Sequence, residues 1–434
     1  MTPLAIGIIG IGILIFILFF LGMPVGFSMA VVGFAGFSCI INVSAGMDMA
    51  GSVFWSVCSK YGLTVIPLFI FMGQIAFYSG VNKRLYKSAY AWIGHIRGGL
   101  AMATVAACSA FSAICGSNTA TAATMSTVAI PEMNKYRYSP VLSTGAIACG
   151  STLGVVIPPS VVLIIIGLAT EQSIAKLFYG GVGAGVLLTL FLMLTVYIVC
   201  RIFPHWGPAG EKVSLKERVK SLSGGIEMII LFVLIMTGLY FGYFTPSEAG
   251  GAGSLFALVI SMIRKTLSWK NFRNAVIDTL KVSCMVIMLV AGAMIFGKFL
   301  SVTRIPFDLA SFVSELDLSD FSVMLLISVI YILGGAIMDA LALLLITIPI
   351  FFPLAVNMGY DPVWFAVTVT VLTTLGAVTP PVGATTYVVA GVAGDIPMKD
   401  VFKGVSVFLP AYVLTILLLL VFPQIVTWLP GLLR

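Results

Sequence analysis

Long unbroken apolar runs dominate this chain, and they do not alternate with polar positions. Runs near 4–21, 25–42, 61–80, 139–170, 177–203, 225–244, 247–263, 280–300, 363–394 and 404–430 each reach or exceed the minimum of about 17 residues that a helix needs to cross a bilayer. Membrane strands would alternate, so the pattern predicts an all-α polytopic membrane protein. Two more apolar regions, 98–132 and 321–352, are broken near their middles by "ICGSNTA" (114–120) and "LGGAIMDA" (333–340). Each is too short for two crossings and too long for one. A re-entrant helical hairpin is the natural solution, because irregular backbone survives at membrane depth only where protein or a watery cavity covers it. The segments leading into the two hairpins share a spacing of i, i+4, i+7, i+8, i+11. It is carried by Leu85, Ala89, Trp92, Ile93 and Ile96 in one, and by Ile305, Leu309, Phe312, Val313 and Leu316 in the other. This is one face of an amphipathic helix, and it predicts arms lying at the two interfaces.

The composition agrees: 60% of residues are hydrophobic and only 9% charged, which excludes an ordinary soluble domain. The N-terminal run lacks a basic flank and a small-residue cleavage site, and reads as a first span rather than a signal peptide. Seven scattered cysteines with no CxxC pair predict neither a disulfide framework nor a zinc site. The net charge of +7 reflects loop asymmetry rather than nucleic-acid binding. Most of the 23 Lys and Arg residues fall in the loops 82–97, 134–138, 201–223, 264–281 and 395–403; the exceptions are Lys60, Lys176, Lys298, Arg304 and Arg434. The positive-inside rule makes the richer face cytoplasmic, which puts both termini outside.

The chain is also written twice. "GVVIPPS" at Gly154 is matched by "GAVTPPVG" at Gly376, and "MPVG" at 23 by "TPSE" at 245, both 222 positions apart. "GSNTAT" at 116 pairs with "GGAIMD" at 334, and "AIPEM" at 129 with "TIPIF" at 347, at an offset of 218. The expected domains are therefore 1–223 (hairpin 98–132, broken helix 139–170) and 224–434 (hairpin 321–352, broken helix 363–394). An odd number of crossings in each half inverts the second relative to the first. Inverted repeats with discontinuous helices are the mark of secondary transporters.

The double prolines lack N–H groups and clash with the preceding turn, so each span must unwind and leave carbonyls unpaired. A small hard cation satisfies such oxygens, and the partly negative C-terminal ends of half-helices favour it. The expectation is at least two sodium ions, one per half. Site one takes Gly116, Ser117, Asn118, Gly154, Val155 and Pro158; site two takes Gly334, Gly335, Asp339, Gly376, Thr379 and Pro380. Ser117, Asn118, Thr119, Ser160, Gly383 and Thr385 would hold a small anion between the tips, near half-helix N-termini. Asp339, a carboxylate at depth, is a functional candidate by default, with proton carriage as its alternative. Glu227 and Glu248, near span ends, read as snorkelling or interfacial.

No HExxH, GxSxG or GxxxxGK[ST] occurs, so neither an enzyme nor a direct ATP-driven pump is expected. An ion channel is the other class, since unwound segments also line filters. "GSNTATAATMSTVAIPEM", "GVVIPPS" and "GAVTPPVGATTYVVAG" resemble the large membrane subunit, the M or DctM-like subunit, of tripartite ATP-independent periplasmic (TRAP) transporters. That resemblance implies an elevator-type, sodium-coupled importer of an organic acid such as a C4-dicarboxylate, a keto acid or sialic acid. It implies two partners, a small four-span membrane subunit and a periplasmic substrate-binding protein, with Arg304 a candidate contact for the latter. A stand-alone sodium–dicarboxylate symporter is the nearest alternative.

Overall fold

The structure is a computed structural model describing residues 2–210, 212–308, 311, 319–394 and 396–433. Every regular element among them is helical. In chain order these are α1 (Pro3–Phe16, extended by a π turn Ile17–Leu21), α2 (Val25–Ile40), α3 (Val43–Ser59), α4 (Val65–Tyr78), α5 (Val81–Ile93), α6 (Gly99–Cys115), α7 (Asn118–Lys135), α8 (Pro140–Ser151), α9 (Val161–Thr170) and α10 (Ile174–Ile202). There follow α11 (Leu215–Leu222), α12 (Ile226–Tyr240), α13 (Pro246–Ile263), α14 (Trp269–Thr303), α15 (Asp320–Gly335), α16 (Ala340–Asn357), α17 (Pro362–Gly376), α18 (Ala384–Ala393), α19 (Met398–Val421) and α20 (Gln424–Gly431). Among the described residues seven helices are long and apolar enough to cross a membrane, or eight if the bent α11–α12 pair is one span. One of the seven is α16, the second arm of a hairpin; the first arms α6 and α15 and the halves of the broken helices are shorter. At 1.5 Å per residue, 17 residues reach only about 25 Å, less than the hydrocarbon thickness.

The two hairpins are present as α6–α7 and α15–α16, and the two broken helices as α8–α9 and α17–α18. Their starts are set by matching devices. α7 is capped by the Ser117 side chain and α16 by that of Asp339. Ser139 and Asp361 sit at the N-caps of α8 and α17, each followed by proline, which costs nothing at a first helical position. These equivalences correct the hairpin register. α7 and α16 are both 18 residues long and begin at 118 and 340, so the offset there is 222, as elsewhere, and not 218. Ser117 is the counterpart of Asp339, and Pro131 of Pro353.

Packing obeys the same exchange. α6 lies on α8 as α15 lies on α17; α7 meets α18 as α16 meets α9; α8 meets α19 as α17 meets α10; α4 lies on α13 as α14 lies on α2. Each half thus closes on pieces of the other. Both interruptions come together, because α17 touches the turn 152–155 and α18 touches α8.

Three expectations change. Residues 43–60, left outside every expected span, hold α3, whose Gly46, Val53 and Val57 alone are buried; it matches the first part of the unbroken 35-residue α14. The span 404–430 is split at Phe422–Pro423 into α19 and α20, where proline denies the next turn its donor. Glu227 does not snorkel. It is buried, with Arg84 Nη2 at 3.4 Å and the Arg264 guanidinium also paired to it. Glu248 closes a capping box with Thr245 at an exposed helix start, as an interfacial residue would. α5 forms the first arm, while Leu309, Phe312, Val313 and Leu316 of the second lie outside the described residues.

Glu227 ties α5 to the α12–α13 frame. Glu227→Gln should lower the unfolding free energy by about 1–3 kcal/mol, a discount on the fully buried case because Arg264 is partly hydrated. Thermal unfolding in detergent checks this, and Glu227→Gln with Arg84→Met should recover part of the loss.

Candidate functional site

The first candidate site is built by the tip of α6–α7 pressing into the gap between α8 and α9. α6 ends at Gly116, whose φ of +60° reverses the chain where a side chain would be strained. A Cβ there would stand 2.9 Å from the Pro159 carbonyl oxygen. From the other side, a Cβ on Gly154 would stand 2.8 Å from the Ser117 carbonyl. The tip and the gap therefore touch through backbone, which is why small residues occupy both.

Between 152 and 160 the helix tightens into a 3-10 turn and then opens, with a cis bond between Pro158 and Pro159. Ser160 donates its hydroxyl to the Val155 carbonyl at 2.6 Å and caps α9 at Leu163 N. Among the described residues no donor is paired with the carbonyls of Val156, Ile157, Pro158 or Pro159. Every residue from 151 to 160 is buried. Asn118 Oδ1 and Ser112 Oγ at or beside the tip are buried without a hydrogen-bond partner. Unpaired neutral oxygens around a sealed gap are what a dehydrated monovalent cation requires. No cluster of three or more His, Cys, Asp or Glu occurs among the described residues; the unpaired oxygens at the first gap are backbone carbonyls, an amide and a hydroxyl.

The second site repeats the arrangement with a different outcome. Gly335 and Gly376 bring α15 against α17; a Cβ on Gly376 would fall 2.5 Å from the Gly335 Cα. The Ala336 carbonyl accepts from both Val382 N (3.1 Å) and Gly383 N (3.2 Å), stitching the tip to the gap. Gly334 lies against Leu343 of α16. Thr379 donates to the Gly376 carbonyl at 3.0 Å, and Pro380–Pro381 is cis. Here, however, Pro380, Pro381 and Val382 are exposed, as is Asp339. Asp339 Oδ2 accepts from Leu341 N at 2.9 Å, so its carboxylate sits on the N-terminus of α16.

Of the residues expected to meet substrate, Thr119 is exposed and Ser117 half-buried at the first tip, within 3.3 Å of each other through their hydroxyls. Ser160 and Thr385 are fully buried. The Ser160 hydroxyl is engaged with backbone, and Thr385 N donates to the Ala377 carbonyl, so both hold the gaps in shape. Gly383, at φ +60°, starts α18. Arg304 stands apart: exposed, at the end of α14, with its guanidinium 5.0 Å from the Phe307 ring. Two features were not anticipated. Tyr412 of α19 pins the first gap, bonding Thr152 Oγ1 at 2.6 Å and the Cys149 carbonyl at 3.0 Å. Thr386 donates to the Val378 carbonyl in the second. The buried hydroxyls were visible in the sequence; their partners were not.

Residues 12–425 match the family model of the tripartite ATP-independent periplasmic transporter, DctM component. The C4-dicarboxylate TRAP transporter large permease protein DctM of Pseudomonas aeruginosa is 36% identical over 86% of this chain and 85% of its own length. The sialic acid TRAP transporter large permease protein SiaM of Vibrio cholerae is 32% identical over 96% of each. An ectoine/5-hydroxyectoine TRAP transporter large permease protein, UehC of Ruegeria pomeroyi, is 28% identical over 95% of this chain and 96% of its own. The solved YdaH transporter of Alcanivorax borkumensis has a similar fold, with a TM-score of 0.67 at 13% identity over 88% of this chain and 89% of that one.

Gly154→Ala should loosen the first tip by about 1–3 kcal/mol through overpacking. Gly391→Ala, where a Cβ meets nothing within 4 Å, should not. Hydrogen exchange over 112–121 reads the difference as faster exchange in the first variant only.

Proposed function

We propose that this chain, which belongs to the DctM component family of the tripartite ATP-independent periplasmic transporters, is the sodium-coupled carrier subunit that imports a small organic-acid anion by an elevator movement. It is a multi-pass membrane protein of a transporter family, and we read it as a carrier rather than an enzyme. Residues 1–223 and 224–434 are taken as the inverted repeats, with both termini on the periplasmic side of the bacterial inner membrane.

The observation that carries the reading is the pair of tip-and-gap contacts, each with free backbone carbonyls and the first also with a free amide oxygen on Asn118, in a sealed or half-sealed setting. Sodium would bind at Ser117, Asn118 and the 154–159 carbonyls in one half, and at the 334–339 tip, Thr379 and the 376–382 carbonyls in the other. Binding there neutralises oxygens that would otherwise cost several kcal/mol each at depth. It also fixes the tips, which is how ion occupancy would shape the substrate site. The two tips differ electrostatically. The N-terminus of α16 is capped by the carboxyl side chain of Asp339, while that of α7 is capped only by the Ser117 hydroxyl. A substrate carboxylate is therefore expected at the first tip, beside Ser117, Asn118 and Thr119.

The first gap is buried and its counterpart is open. Two-fold related sites with unlike exposure are what a carrier at one end of its travel presents. α5 and the α12–α14 frame would hold still while the hairpins and broken helices slide. One net positive charge moving inward gains about 2.3 kcal/mol per 100 mV. The relatives' names span C4-dicarboxylate, sialic acid and ectoine, so the cargo is kept at the level of a small organic acid. A periplasmic binding protein would deliver it, and a small four-span subunit would brace the frame.

The test is uptake into proteoliposomes holding the chain with its co-expressed small subunit and binding protein. A panel of a C4-dicarboxylate, a keto acid and sialic acid is offered with and without an inward sodium gradient. One acid should enter only with sodium and both partners, and Asn118→Ala or Asp339→Ala should cut the initial rate by about tenfold or more, the cost of one lost charge-assisted contact. Sodium-independent uptake would refute coupling; uptake by the chain alone would make it a stand-alone symporter.

A further inference from the structure

Apart from the tip-and-gap sites, a separate cavity of about 430 Å³ opens between the frame and the hairpin block. Its frame wall comes from the end of α3, the turn Tyr61–Thr64 and the last turns of α14; its other wall comes from the end of α9 and the middle of α16. The two walls touch at the edges. A Cβ on Gly62 would meet Leu168 at 3.3 Å, and one on Gly297 would meet Pro349 at 3.8 Å. The interior is aliphatic and aromatic, with Leu63, Leu168, Val290, Leu345, Ile348 and Phe352 on its surface. At its rim stand Lys60 and Lys298, both exposed and neither in an ion pair with a described residue, together with the single carboxylate Glu171.

Three observations fix the occupant. The volume falls in the range of small-molecule sites, and its walls are apolar while its mouth is charged, so the ligand is amphiphilic. The mouth carries an excess of positive charge, so the head is an anion. Lys60, Glu171, Lys298 and Ser301 all lie at the end of the helices assigned to the periplasmic side, a face poor in basic residues. Bringing two of its few lysines to one crevice runs against the general charge bias. We propose that this crevice is a binding site for an anionic phospholipid of the outer leaflet, its acyl chain between α14 and α16 and its phosphate between Lys60 and Lys298. The lipid fills the joint that separates the frame from the hairpin block in this conformation. The site rests on the membrane orientation taken in the proposed function; it does not depend on sodium coupling or on any particular cargo.

Native mass spectrometry of the purified full chain tests it with phosphatidylglycerol, phosphatidylcholine and inorganic phosphate as probes. Phosphatidylglycerol should remain bound where phosphatidylcholine does not. Each lysine is worth about fivefold in affinity at such a surface, so Lys60→Gln with Lys298→Gln should reduce phosphatidylglycerol retention by more than tenfold, to the phosphatidylcholine level. Met294→Trp, which narrows the cavity from its partly exposed side, should reduce retention of phosphatidylglycerol while leaving the chain monodisperse. Equal retention of the two lipids by the unmodified chain, undiminished phosphatidylglycerol in the double lysine variant, or displacement of the lipid by inorganic phosphate alone would each overturn the proposal. Loss of sodium-driven uptake in the earlier assay would leave this result untouched, so the two readings fail separately.

Discussion

A backbone carbonyl or amide left unpaired inside hydrocarbon costs several kcal/mol, and this chain interrupts helical hydrogen bonding at depth four times. Two interruptions are hairpin tips and two are double-proline gaps. None is tolerable alone. Each tip is pressed against the gap of its own half, through Gly116, Gly154 and Ser117 on one side and Gly335, Gly376 and Ala336 on the other. The second arm of each hairpin then packs on the far half of the other repeat's broken helix. The duplicated sequence is thus interlocked: neither half covers its own irregular backbone without the other.

Contact alone does not pair every oxygen. Side-chain donors take some carbonyls, as Ser160 does at Val155 and Thr386 at Val378. The carbonyls that follow in each gap, and the Asn118 amide oxygen, remain without protein donors among the described residues. A site built of neutral oxygens, as proposed for the first gap, would select by charge and size and would be weak enough to release its ion when the surroundings change. That is the chemistry a cycling carrier needs, in contrast with a fixed structural metal. The substitution of Asp339 for Ser117 at equivalent caps makes the two halves unequal, so geometric symmetry coexists with an electrostatic direction.

Much of this was legible in the chain because proline and glycine act locally. A Pro-Pro pair within an apolar run has to break a helix wherever it lies, so both gaps, both hairpins and the duplication followed from the residues themselves. The register of the hairpins did not. Similar letters suggested an offset of 218, whereas equivalent caps, serine in one half and aspartate in the other, show 222. Helix α3 was missed because "VSAGMDMAGSVFWSVCS" buries only a few positions and lacks the hydropathy of a span. Glu227 was misread because Arg84, one of its two partners, lies 143 residues away in the chain; burial and pairing of that kind are tertiary facts. The burial of Ser160 and Thr385 was hidden for the same reason.

The claim beneath the rest is that the interrupted backbone grips an alkali cation. It is tested most directly by the unfolding midpoint of the purified chain, titrated with sodium against potassium at constant ionic strength. A ligand that binds only the folded state raises stability with the logarithm of its concentration. Sodium should therefore raise the midpoint progressively while potassium does not, and Asn118→Ala should flatten the response. Identical curves in the two salts would contradict the account.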